Sequence, residues 1–117
     1  MIIQMLLATV VHWAVPSMSD EMRLPDAEPK DGEKGGGVRI VAAKGEYEPG
    51  SFVVRSDIDL GKVTLEVGDL KSGTGVVFPA ANLDLKVVKV WYQNLNGWFS
   101  YFGDTGDFKL VPELLVH

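Results

Sequence analysis

The sequence predicts an all-β protein: an antiparallel β-sandwich, Ig-like or jelly-roll-like, with an extended N-terminal segment. Short runs rich in β-branched residues recur along the chain, and turn signals containing glycine or proline separate them at nearly regular spacing. No apolar i, i+3, i+4 pattern lasts three turns, so no helix of ordinary length is expected. At 117 residues the chain can bury one core, which predicts a single domain.

The composition is that of an ordinary folded domain and excludes some function classes. Hydrophobic residues make up 46% of the chain and charged residues 23%. The net charge of -5, with no visible basic face, argues against nucleic acid as a partner, because phosphate binding needs clustered lysine and arginine. The absence of cysteine excludes disulfides, thiol nucleophiles and thiolate metal sites.

Residues 1–37 are predicted to form an apolar start followed by an extended leader. The opening MIIQMLLATVV has the length of a signal-peptide core but lacks a positive n-region and a clear cleavage site. It is too short to cross a bilayer, so it is either a degenerate signal or a first buried strand, and no membrane span is predicted. From Pro16 to Gly37, three prolines, many charges and a glycine triplet predict a connector over the surface.

Residues 38–117 are predicted to form the sandwich domain. In residues 62–70, Val63, Leu65 and Val67 alternate with polar residues, which indicates a strand with one wet face. The longest strand candidate, 82–93, changes phase after Val87, which predicts a β-bulge or a strand buried on both faces. The remaining strand candidates are 38–43, 51–56, 76–80 and 108–117.

The chain ends on the apolar run LVPELLVH, without a polar tail or a turn residue. A finished domain usually closes in solvent-compatible residues. We therefore expect the polypeptide to continue beyond His117 and the sandwich domain to be truncated at its C-terminus.

No complete set of catalytic residues is visible. His12 and His117 lie at opposite ends of the chain, and neither has a neighbouring serine or aspartate arranged as a nucleophile–base pair. Carboxylate pairs could bind calcium or serve glycoside hydrolysis, but we expect the pairs in this chain to be solvated residues of turns. These pairs are Glu46 with Glu48, Asp57 with Asp59, and Asp104 with Asp107. We predict no catalytic residue, no cofactor and no metal site.

The unusual feature is an aromatic window, residues 88–104, which holds six of the eleven aromatic residues. Aromatic faces stack on sugar rings while polar neighbours bind hydroxyls, and tryptophan and tyrosine also anchor protein interfaces. Core packing, interdomain packing and glycan contact therefore all remain open. The candidate ligand-binding or interdomain residues are Trp91, Tyr92, Gln93, Trp98, Tyr101 and Asp104.

Three segments resemble the N-terminal β-sandwich domain of large bacterial glycoside hydrolase family 123-like proteins. They are AAKGEYEPGSFVVRS, VTLEVGDLKSGTG and FPAANLDLKVVKVWYQ. In that family a basic residue, a glycine or asparagine, a glutamate and a YEP element lead into a strand ending near VVR. The leader HWAVPSMSDEMRLPD is also similar to the segment that precedes this domain. The resemblance covers roughly residues 12–117, and its motifs are structural rather than catalytic.

The resemblance implies a non-catalytic accessory module of a bacterial, secreted or periplasmic glycoside hydrolase. In such proteins the sandwich packs against a catalytic barrel whose adjacent Asp–Glu pair acts with the substrate's acetamido group. This chain is far shorter than such a protein and has no barrel, and Asp20–Glu21 lies in the leader, so no catalytic residue is carried over. The alternatives are a stand-alone carbohydrate-binding module that uses residues 91–104 and, least supported, a hydrolase that uses Asp104 and Asp107.

Overall fold

The structure is a computed structural model that describes residues 9–103 and 106–117. Within them the chain is all-β, as predicted, with antiparallel strands in three separate sheets. The helical pieces are short: two 3-10 turns, Ala80–Asn82 and Leu95–Trp98, and one α-helix, α1. The strands are β1 Val10–Val15, β2 Glu33–Lys34, β3 Ser51–Ser56, β4 Leu70–Lys71, β5 Val77–Phe78, β6 Val87–Asn94 and β7 Phe108–Val116; α1 spans Phe99–Phe102.

The chain divides into two compact units, of which the first ends at Gly61. Its sheet has the order β2-β1-β3, and β1 pairs with β3 along its whole length, from Val10 opposite Ser56 to Val15 opposite Ser51. Trp13 of β1 is 4% exposed and is the buried hydrophobic side chain among the described residues of this unit. A β-carbon at Gly32 would lie 3.1 Å from Trp13 Cβ, so the leader contacts the sheet closely where glycine allows it.

Hydrogen bonds hold the leader in a defined path. The Arg23 guanidinium donates two hydrogen bonds to Asp31, and the Ser19 hydroxyl donates a third at 2.6 Å. These donors, Arg23 foremost, hold the pKa of the Asp31 carboxyl well below its usual range. The predicted connector is therefore an irregular segment with its own polar anchor.

The second unit is Lys62–His117 and contains two hairpin-like pairs. Strands β4 and β5 flank the predicted turn at residues 71–75, where Gly75 has a φ of 86° and donates to Ser72 O. Strands β6 and β7 form a long antiparallel ribbon from Val87 opposite Val116 to Asn94 opposite Phe108. Among the described residues of this unit, Leu95 and Val111 are the fully buried side chains.

A β-bulge interrupts the ribbon, as one of the two predicted alternatives for residues 82–93 requires, but its extra residue lies on β7 and not in that strand. Lys89 pairs with Leu114, but the next residue, Val90, pairs with Pro112, so Glu113 has no partner opposite it. Proline at position 112 suits this place because it cannot donate a hydrogen bond in a regular ladder.

Two of the predicted strands are wrong, and others are shorter than expected. Residues 38–43 and 62–69 form no strand, and Val63 and Leu65 remain exposed, because an alternating pattern becomes a strand only where a neighbouring backbone supplies hydrogen bonds. Strand 51–56 is confirmed. Strand 82–93 begins only at Val87, and 76–80 contains just Val77–Phe78. Residues 1–8 lie outside the described residues, so the choice between signal and strand for the apolar start stays open.

In the described part of the chain, no helix has the length and apolar character needed to cross a membrane.

Candidate functional site

The β6–β7 ribbon has two chemically different faces, because successive side chains of a strand point to opposite sides. Lys89, Trp91 and Gln93 of β6 share one face, which we call the polar face. The opposite side is the apolar face, and it carries no charged residue. The apolar face consists of Val88, Val90, Tyr92, Phe108, Leu110, Pro112 and Leu115, with the uncharged Asn94 opposite Phe108 at its end.

On the polar face, four side chains form a hydrogen-bonded chain that we call the tryptophan network. Trp91 Nε1 donates to Glu113 Oε2 at 2.5 Å, and Gln93 Nε2 donates to the same oxygen. Gln93 Oε1 in turn accepts a hydrogen bond of 3.3 Å from Trp98 Nε1. One carboxylate and one amide therefore fix the orientation of two indoles at the surface, which limits the entropy lost when a partner binds.

The loop between β6 and β7 returns Trp98 to the end of the ribbon. Asn94 Oδ1 accepts a hydrogen bond from the backbone of Asn96, which starts the turn, and Leu95 is fully buried below it. The backbone of Leu95 also donates to Asp107 O at 3.0 Å, which closes the loop at its far end. Trp98 thus reaches Gln93 because the loop is anchored at both ends.

Lysine ammonium groups lie over two of the aromatic rings. Lys89 Nζ lies 4.5 Å from the centroid of the Trp91 ring, and Lys109 Nζ lies 5.3 Å from that of Phe102. Tyr101 contacts Phe102 edge to face at 4.8 Å. Because Lys89 covers one side of the Trp91 indole, that side is not open for stacking by a ligand.

The structure brings together only part of the predicted site. Trp91, Gln93 and Trp98 belong to the tryptophan network. Tyr92 lies on the apolar face, because it directly follows Trp91 in a strand, and it is 71% exposed. Tyr101 lies in α1 and contacts Phe102. Asp104 is outside the described residues.

Two residues of the site were missed at the level of sequence: Glu113 and Lys89. Glu113 lies 20 residues from Gln93 along the chain, and only the strand register places it beside the tryptophans. Two sequence features could have indicated it. The phase change predicted a bulge, and Pro112 marks a position where a ladder is interrupted.

The other acidic residues named from the sequence mostly serve the backbone. Glu46 accepts a hydrogen bond from Ala43 N, Asp57 from Thr9 N and Asp59 from Gly61 N, as expected of solvated turns. His117 lies 3.5 Å from Asp84. Across residues 9–103 and 106–117, no group of three or more histidine or acidic side chains could hold a metal ion.

The first unit has an open groove of about 410 Å³ beside the ends of β1 and β3. Its wall includes Val15 and Pro49, and its charged lining residues are Asp31, Glu33, Arg39 and Glu48. Asp31 is already occupied by Arg23 and Ser19. The groove therefore has mixed charge and no aromatic platform, and we place the candidate site on the ribbon instead.

Comparison with known proteins gives no match, whether with family models, with characterised sequences or with solved structures.

Proposed function

We propose that this chain is a non-catalytic accessory module of a carbohydrate-active protein similar to glycoside hydrolase family 123. The module docks on a catalytic barrel of the same protein and orients it. In this proposal the separate sheets belong to a β-sandwich, and the protein is secreted or periplasmic. The sequence motifs around residues 42–56 and 63–75 support the family, and the tryptophan network supports the docking role.

The tryptophan network is the observation that carries the proposal. Trp91 is 39% exposed and Trp98 is partly exposed, yet their indole N–H groups are already bound. Rigid, half-exposed tryptophans with satisfied polar atoms are typical anchors at the centre of a protein interface. Lys89 covers one side of Trp91 and so leaves less of the indole for a sugar to stack on, which favours docking over sugar binding.

The second candidate is a carbohydrate-binding module. It is favoured by Gln93, whose amide lies between the two indoles and could turn a polar atom toward a sugar hydroxyl. In this alternative, Trp91, Trp98 and Tyr101 provide the apolar walls.

The test of docking begins with the reading frame on either side of this chain. If it encodes alternating strand and helix patterns with an adjacent Asp–Glu pair, that region is expressed separately and titrated with this chain by calorimetry. We expect saturable binding that Trp98→Ala weakens at least tenfold, about 1.4 kcal/mol, whereas Tyr92→Ala on the opposite face leaves it nearly unchanged. A frame without a barrel, or equal effects of the two substitutions, contradicts docking through this face.

Tryptophan fluorescence separates the two candidates. Titration with amino-sugar oligosaccharides is expected to give no saturable change in the wild-type chain or in Lys89→Gln, which uncovers the Trp91 ring. Saturable quenching that is enhanced in Lys89→Gln and lost in Trp98→Ala would instead establish the carbohydrate-binding module.

A further inference from the structure

Among residues 9–103 and 106–117, the apolar face of the ribbon stays exposed, although side chains of this kind normally pack against another surface. Tyr92 is 71% exposed, Phe108 64% and Leu115 63%, and Val88, Val90 and Leu110 are between 36% and 48% exposed. A two-stranded ribbon is marginally stable by itself in water and needs its apolar face covered. This face is distinct from the polar face used in the proposed function.

The size of the apolar face suits an interface between two polypeptides. Scaling ordinary side-chain areas by the exposed fractions gives roughly 600 Å² for this face, at the top of the range for the largest patch on a typical monomer. Two such faces in contact would remove about 1,200 Å² from water, which reaches the lower limit for a specific interface.

The distribution of large and small side chains makes the face complementary to itself. Aromatic Tyr92 and Phe108 lie toward one end of the ribbon, and Val88 and Leu115 lie toward the other. A two-fold axis at the middle of the face, near Val90 and Pro112, brings the aromatic end of one copy onto the aliphatic end of its partner. Large residues then meet small ones, as in the interior of two stacked sheets about 10 Å apart.

Charge does not oppose a second copy at the apolar face. The chain carries a net charge of -5, so two copies repel each other over most of their surfaces. The charged side chains of the ribbon, Lys89, Lys109 and Glu113, lie on the polar face. Contact through the apolar face therefore places no like charges of the two ribbons opposite each other. It also leaves the tryptophan network exposed.

The geometry points to a homodimer in which the apolar faces of two β6–β7 ribbons pack against each other around a two-fold axis. Each copy contributes Val88, Val90, Tyr92, Phe108, Leu110 and Leu115. The dimer presents two tryptophan networks on opposite outer sides.

Light scattering with size-exclusion chromatography tests this dimer on the full chain between about 5 and about 300 μM, a range that includes weak association, because interfaces near the lower size limit are often transient. We expect the apparent mass to rise toward twice 12.8 kDa. Leu115→Glu should hold the chain as a monomer throughout. The matched control is Leu114→Glu, the neighbouring exposed leucine on the polar side, which should still dimerise. A wild-type chain that stays monomeric, or two variants that behave alike, overturns the dimer.

Cross-linking keeps the test decisive if Leu115→Glu fails to fold. Because the chain has no cysteine, Val90→Cys introduces a single thiol near the proposed axis, and Lys89→Cys introduces one on the other face. A short bis-maleimide should join two Val90→Cys chains efficiently and two Lys89→Cys chains poorly. Equal yields from the two variants, or no cross-linking of Val90→Cys, would contradict the proposed dimer.

Discussion

Removing the Glu113 carboxylate is the sharpest test of the tryptophan network. Its Oε2 atom accepts hydrogen bonds from both Trp91 and Gln93, so Glu113→Ala takes the shared acceptor from two donors at once. Gln93 then loses the contact that orients its amide toward Trp98. We expect both indoles to become less ordered while the ribbon itself persists, because its backbone ladder is unaffected.

The expected loss follows from the number and exposure of these hydrogen bonds. A hydrogen bond to a charged acceptor contributes about 1.5–3 kcal/mol when it is shielded from water, and less when water can replace it. Glu113 is exposed and Trp91 is 39% exposed, so we expect Glu113→Ala to lower the free energy of unfolding by about 1–2 kcal/mol in total. For a chain of this size that corresponds to a fall in Tm of roughly 4–8 °C.

Thermal unfolding followed by circular dichroism measures this loss, and indole N–H resonances locate it. The chain has three tryptophans, so the Trp91 signal should move most, the Trp98 signal less and the Trp13 signal least. Glu113→Gln, which keeps an acceptor oxygen, should lose less than Glu113→Ala.

The matched control for charge is Glu66→Ala, which removes an exposed carboxylate without a hydrogen-bond or ion-pair partner among the described residues. The reasoning is refuted if Glu113→Ala lowers Tm no more than Glu66→Ala and leaves the Trp91 resonance in place.

Two further predictions concern the first unit. Gly50→Ala should lower the free energy of unfolding by about 1 kcal/mol or less, because the new β-carbon would lie 2.9 Å from Ile40 Cδ1 and closer still to Val38, and both of these exposed side chains can shift. Gly37→Ala is the control, since nothing lies within 4 Å of a β-carbon at that position. Equal denaturation midpoints for the two variants would contradict the close approach at Gly50. Asp31→Asn should destabilise the protein at neutral pH, because the folded-state pKa of Asp31 is depressed and its carboxylate stabilises the fold above the ordinary aspartate pKa. The difference in stability between the wild-type chain and Asp31→Asn should shrink as the pH falls through the folded-state pKa of Asp31. Denaturation midpoints measured against pH test this, with Asp26→Asn as the control. A difference that stayed constant in acid would contradict the prediction.

Local patterns predicted those features that depend on neighbouring residues in the chain. The β class, the strand at 51–56 and the turn at 71–75 follow from β-branched runs and glycine positions. The strand predicted at 38–43 and most of the one predicted at 62–70 are absent, because the sequence of a segment does not reveal whether another backbone lies beside it. For the same reason the pairing of β1 with β3, which are separated by more than 30 residues, was not predicted.

In the candidate site, too, the residues close together in the sequence could be predicted, whereas the residue contributed by the opposite strand could not. Trp91, Gln93 and Trp98 could be named because aromatic and amide residues cluster in the sequence. Tyr92 was grouped with them on the same ground, although strand alternation places it on the other face. Glu113 is a partner across the ribbon, and finding it requires the register of β6 against β7.

The bulge at Glu113 connects the two proposals, because it determines which β7 side chains lie on the polar face and which lie on the apolar face. Along β7, Val111 and Glu113 follow regular alternation, and without an extra residue Leu115 would join them on the polar face. The bulge shifts the register so that Leu114 lies opposite Lys89 and Leu115 lies opposite Val88 on the apolar face. A single inserted residue therefore allows β7 to supply an acceptor to the tryptophans and a leucine to the opposite surface. The composition of both faces therefore depends on this one bulge. A change that removes the bulge should impair the proposed docking and the proposed dimerisation together. Trp98→Ala should impair only docking, and Leu115→Glu only dimerisation.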